Sequence, residues 1–171
     1  MKIPFILLLI LTFAVAEVRI NVDSLVVRED LDSEGRRYLP KTKIPFQGLV
    51  YNEYPNGQVE FEGPLESGLQ HGIWVWWYPT GEKKSEITFS NHLKHGQWRS
   101  YFKSGYLQES GSYLEDKKEG LWTQYYESIQ KLSEMNYKND KLHGRLTLWH
   151  ENGRKNKEVF YTRGKNHKWE L

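Results

Sequence analysis

The chain has 171 residues, 38% hydrophobic and 27% charged, with no cysteine and a formal charge of +2 from 24 basic and 22 acidic side chains. The absence of cysteine excludes a disulfide scaffold, a thiol nucleophile and Cys-ligated zinc, and the balanced charge gives no basic face of the kind nucleic acid requires. An aromatic complement of 7 Trp, 11 Tyr and 7 Phe excludes a disordered chain, whose signature is few aromatics.

Lys2 precedes a charge-free run, Ile3 to Ala16, that ends in Ala14-Val15-Ala16. A positive start, a short apolar run and small residues at its end predict a signal peptide over residues 1–16, cleaved before Glu17. The run is shorter than the roughly 20 apolar residues that span a bilayer, so no stable membrane span is expected after cleavage. The exported product, periplasmic or secreted, then has to be stable without disulfides.

Residues 17–47 read as an N-terminal capping segment, in which Val18, Ile20 and Val22 alternate as a strand would. From residue 48 to 171 the chain is a repeat array. Glycines stand at Gly48, Gly72, Gly96, Gly120 and Gly144, each 24 residues from the last. Other columns keep that phase. Two residues after the glycine come Val50, Trp74, Trp98, Trp122 and Leu146; six after it come Tyr54, Tyr78, Phe102, Tyr126 and His150. Nine after it come Gly57, Gly81, Gly105 and Gly153, with Ile129 breaking the column and leaving the strand register open there.

Each unit reads as two strands. Gly72–Tyr78 is an aromatic and β-branched run, Pro79-Thr80-Gly81 is a turn, and residues 82–89 alternate, with Ile87 and Phe89 opposite Glu86 and Thr88. Ser90–His95 reads as a polar connection to the next glycine. The expected fold is all-β: an elongated single-layer antiparallel meander of about five 24-residue hairpins. Phe89, Tyr113 and Tyr137 are expected to lie over the following Gly96, Gly120 and Gly144.

The run Leu93–Tyr113, LKHGQWRSYFKSGYLQESGSY, resembles the MORN-repeat variant family, the bacterial YwqK-like repeat proteins. Ile44-Pro45-Phe46-Gln47-Gly48 is similar to an opening common in that family, and the resemblance extends from about Leu25 to Trp169. It implies a β-hairpin array used for binding, brings no catalytic residues, and includes members of antitoxin or immunity-like type.

Three constellations invite chemistry. His71, His95, His143 and His167 form a column, but equivalent positions in a two-strand repeat lie about 9.4–9.8 Å apart. That is too far to share an ion whose bonds to nitrogen are about 2.0–2.1 Å. The column of Glu62, Glu86, Glu134 and Glu158 repeats one environment, whereas a catalytic pair needs two. Ser104, Ser128 and Ser133 lack a nucleophile-elbow context. No enzyme, cofactor or metal is therefore expected.

The aromatic columns remain. Trp74, Trp76, Trp98 and Trp122, with Tyr78, Phe102 and Tyr126, read as core. Trp77, Tyr101, Tyr125 and Trp149 alternate to the opposite face and form a candidate partner-binding row, since a single sheet cannot hide both faces. Residues 17–70 carry 6 basic and 10 acidic side chains and residues 71–171 carry 17 and 12, so the basic end is the C-terminal one. The expected function is a non-enzymatic exported scaffold that binds an unknown protein of the cell envelope or exterior. The alternatives are an envelope immunity or antitoxin-like protein, or a carbohydrate or cell-wall binder that uses the aromatic row.

Overall fold

The computed structural model describes residues 18–27 and 33–167. The expected leader, residues 1–16, and the expected cleavage point before Glu17 lie outside the described residues. The N-terminal part supplies β1 (Arg19–Asn21), a short 3-10 turn (Val22–Ser24), β2 (Val26–Val27) and β3 (Arg37–Tyr38). The array follows as β4 (Gly48–Glu53), β5 (Val59–Glu66), β6 (Leu69–Gln70), β7 (Gly72–Trp77), β8 (Lys83–Ser90) and β9 (Leu93–Tyr101). It continues through β10 (Leu107–Leu114), β11 (Lys117–Tyr125), β12 (Lys131–Lys138), β13 (Lys141–Trp149), β14 (Lys155–Thr162) and β15 (Lys165–His167). No helix among the described residues is long and apolar enough to cross a membrane.

The array strands form one 13-stranded sheet in which β4, β5 and β7 to β15 follow in chain order, so the meander is the observed topology. The strand count exceeds two per unit because β1 joins β4 in parallel, β6 adds a short extra pairing to β5, and β15 begins a further unit. Every other pairing in the sheet is antiparallel, the cheapest arrangement for strands joined by tight turns.

The two sides of each hairpin turn differently. Between units the chain reverses in two residues, both at positive φ: Asn91 and His92 at 48° and 70°, Glu115 and Asp116 at 50° and 65°, Asn139 and Asp140 at 49° and 63°. Two left-handed residues match the right-handed twist of the flanking strands, and Asn and Asp tolerate that region. The connection is thus Asn91-His92 and not the longer Ser90–His95; β9 already starts at Leu93. The repeat glycine consequently sits inside a strand, where Gly96 holds φ at 111°. Between the pairs Ile87↔Trp98 and Phe89↔Lys94 the glycine strand carries two residues more than its neighbour. That bulge needs a backbone conformation only glycine adopts freely, and it explains the column.

The pairing also corrects the aromatic–glycine expectation. Tyr113 stands opposite Gly96, Tyr137 opposite Gly120 and Phe89 opposite Gly72, each the glycine of its own unit. The hairpin closes within the unit, so the return strand meets its own outgoing strand first. Bare backbone is covered by tryptophan instead: a Cβ on Gly63 would lie 2.2 Å from Trp74 Cδ2, and one on Gly111 2.2 Å from Trp122 Cδ2.

The main core lies on this tryptophan face at the N-terminal end. Val50, Leu65, Trp74, Ile87 and Phe89 are buried together with Leu25 and Phe46 of the N-terminal segment. That segment therefore does two jobs, pairing with the first strand edge and covering the tryptophan face of the first units. Further along, burial comes from rings packed edge to face, Tyr113 on Trp122 at 5.0 Å and Tyr137 on Trp122 at 6.2 Å.

Candidate interaction face

Strand side chains alternate between faces, and the two aromatic rows follow that rule. On one face Trp122 and Trp74 are 0% and 4% exposed, while Trp98 between them is only half-buried. The indole N–H groups of Trp74 and Trp122 donate to the carbonyls of Pro64 and Ser112, but that of Trp98 donates to Glu109 Oε2 at 3.1 Å. Trp76, expected in the core, is half-buried against Phe61 and Trp74, with ring centroids 6.3 and 6.0 Å away.

Trp77, Tyr101, Tyr125 and Trp149 stand on the opposite face, all half-buried. Each lies at the end of its strand beside a one-residue bulge in the return strand, where the register shifts between Trp76 and Trp77, between Leu107 and Glu109, between Gln124 and Tyr125, and between Leu148 and Trp149. The glutamate column flanks the row. Glu86 accepts hydrogen bonds from Lys83 at 2.9 Å, Arg99 at 3.0 Å and the Tyr101 hydroxyl at 3.2 Å. Lys131 pairs with Glu134, Lys155 and Arg145 with Glu158, and Arg19 with Glu62. Lys83 stands 5.9 Å from the Tyr101 ring and Lys131 5.9 Å from the Trp149 ring. Ile73 and Leu121 add exposed apolar surface to the same face.

These contacts set the electrostatics. Burial alone pushes the Glu86 carboxyl up, but the hydrogen bonds from Lys83, Arg99 and Tyr101 outweigh it and hold the group below the ordinary carboxylate range. The same neighbourhood raises the Tyr101 phenol, first through burial and then through the Glu86 charge. The face therefore presents rings, paired ions and few unpaired charges.

One feature was not legible as such in the sequence. The column six after the glycine, expected as core, is a ladder of clamps: the hydroxyls of Tyr54, Tyr78 and Tyr126 donate to the carbonyls of Trp77, Tyr101 and Trp149 at 2.9, 3.0 and 3.0 Å. Each bond reaches 23 residues ahead, so every clamp fixes the aromatic row of the next unit to the turn of the one before. Phe102 has no hydroxyl and leaves one rung out. At the opposite ends of the strands Asp116 and Asp140 accept from the backbone N–H of Lys94 and Lys118, a second set of staples between units.

The histidine column is dispersed. His71 Nδ1 lies 3.5 Å from Glu66 Oε2, whereas His95 and His143 are exposed. The side chain of His167 lies outside the described residues.

No curated protein matches the chain. The model of the MORN repeat variant matches residues 70–91 and 118–139. The two stretches start 48 residues apart, two structural units, and each contains a tryptophan laid over a glycine of the preceding unit. With the 24-residue period, the strand glycines and the hairpin meander around them, these two stretches are where the chain is similar to the MORN repeat variant.

Proposed function

We propose that the chain is an exported, non-enzymatic repeat protein that binds another protein through the face bearing Trp77, Tyr101, Tyr125 and Trp149. The observation that carries this reading is the asymmetry between rows. Trp74 and Trp122 are buried under neighbouring rings, whereas all four members of the opposite row are half-buried on a face over which no second layer lies among the described residues. Aromatic side chains held rigidly beside polar partners favour recognition, because a fixed ring loses little conformational freedom on binding. The tyrosine clamps supply that rigidity from outside the binding face. The leader-like run over residues 1–16 supports export, which puts the partner in the cell envelope or exterior.

The test pairs a stability measurement with capture. The double substitution of Tyr101 and Tyr125 by Ser removes two rings and one hydrogen bond to Glu86. It should lower stability by less than the loss of Trp122 while abolishing crosslinking to envelope proteins. Unfolding as severe as that of Trp122→Ala would place the row in the core and remove the proposed face. Retention of capture by the folded double variant would also overturn it, and binding of purified cell-wall polysaccharide in place of protein would move the reading to a sugar platform.

A further inference from the structure

The units are regular enough for their departures to be informative, and those of Trp98 and Phe102 fall beside Glu109 and Gln124. On the tryptophan face, Glu109 and Gln124 hold paired positions that vary along the array: Phe61 and Trp76, Ser85 and Ser100, and Ser133 and Leu148 in the other units. Trp98 leaves the buried pattern of Trp74 and Trp122 to bond Glu109. Phe102 removes the hydroxyl that would reach the Tyr125 carbonyl, as Tyr54, Tyr78 and Tyr126 do for their counterparts. Together these changes open a groove of about 430 Å³ lined by Ser100, Phe102, Glu109, Gln124, Tyr126 and Glu127, among others.

A part-buried carboxylate is costly in a thin sheet, and costly local choices of that kind mark functional positions. Glu109 is held in place: Oε2 accepts from Trp98 at 3.1 Å, Oε1 from Gln124 at 3.0 Å, and Gln124 is itself fixed by Ser133 at 3.0 Å. A carboxylate has about four lone-pair positions, so each oxygen keeps one free. Lys118 pairs with Oε1 at 3.7 Å from over the Trp122 ring, 3.8 Å away, and the residues lining the groove itself include no Lys or Arg. The groove therefore offers the Glu109 and Glu127 carboxylates and the Tyr125 carbonyl as acceptors, between the rings of Phe102 and Tyr126.

We infer that this groove receives a cationic side chain of a partner peptide, with arginine preferred to lysine. A guanidinium pairs with a carboxylate through two parallel N–H donors and stacks on aromatic faces, which a compact ammonium does not do. Glu109 and Gln124 stand on the face opposite the Tyr101 row, while Tyr125 of that row also lines the groove.

The experiment titrates the full chain with acetyl-Gly-Arg-Gly-amide, its citrulline analogue and methylguanidinium, followed by NMR. The expected result is a saturable shift at the Trp98 indole N–H and the Gln124 carboxamide, at least tenfold weaker for the citrulline peptide and for the Glu109→Gln variant. Phe102→Tyr should also weaken binding, by closing a hydroxyl on the Tyr125 carbonyl, while raising the Tm. Should Glu109→Gln fail to fold, Phe102→Tyr decides alone. Equal binding of the citrulline peptide, absence of shifts at these two groups, or unchanged affinity in Phe102→Tyr overturns the site. Methylguanidinium binding as tightly as the peptide overturns the peptide assignment in favour of a free small cation.

Discussion

At the scale of single residues, Ile129 and Trp122 stand at opposite ends of what this fold tolerates. Ile129 holds φ at 64° in a turn position that is glycine in the other units, and its N–H still bonds the Tyr126 carbonyl at 2.9 Å, as Gly105 bonds Phe102. The register that the sequence left open is therefore the regular one, and the cost is local: a β-branched residue in the left-handed region pays roughly 1–2 kcal/mol. The side chain is exposed and returns no packing. Ile129→Gly removes that strain but adds about 0.4–1 kcal/mol of unfolded-state freedom. A net gain between about 0 and 1.6 kcal/mol is expected, measured by urea denaturation. Trp122 is the contrast, fully buried over Gly111 and between two tyrosines. Trp122→Ala should cost about 3–5 kcal/mol, and Trp98→Ala measurably less because Trp98 is only half-buried. Equal losses in the two variants would contradict the alternating burial.

At the scale of strands and turns, the 24-residue period made the hairpins, the face alternation and the turn glycines legible, because each depends on residues near one another in sequence. The strand limits were less legible. Ser90–His95 looks like a loop by polarity, yet the strand pairing runs to Leu93 because a two-residue left-handed turn suffices. The tyrosine clamps were hidden for another reason: a hydroxyl looks the same in sequence whether it faces water or a carbonyl 23 residues ahead. Tyr126→Phe tests a clamp directly and should cost about 1 kcal/mol, the net worth of one hydrogen bond. The ion-pair column adds a pH signature. Glu86 has a lowered pKa in the fold, so its contribution is fully present above the ordinary carboxyl value of 4.5 and is lost as the pH falls through the lower folded value. Thermal melts at pH 7 and pH 3 should differ more for the natural chain than for Glu86→Gln; an equal difference would mean that the network around Glu86 adds nothing.

At the scale of the whole molecule, an array of this kind has contacts only between neighbours, so its stability is set unit by unit and its ends matter most. The two ends are unlike. At the N-terminal end Leu25 and Phe46 are 4% exposed each and seal Val50 and Leu65, while β1 closes the strand edge. At the other end all eight residues before Val159, Glu151 to Glu158, are exposed, and among the described residues β14 is covered on its far side by the three residues of β15 alone. Lysines there, Lys155, Lys157 and Lys165, discourage edge-to-edge pairing without adding burial. Opening should therefore start at β14 and β15 and run inward, which is a statement about free energies of local unfolding. Amide hydrogen exchange measures it: protection should rise from β14 through β12 to the strands around Trp74. Phe46→Ala then separates a cap from mere contact. If the N-terminal segment holds that end shut, the substitution should erase the gradient by speeding exchange in β4 and β5 while leaving β14 unchanged. If exchange instead quickens evenly along the sheet, the array unfolds as one unit and the ends have no special role.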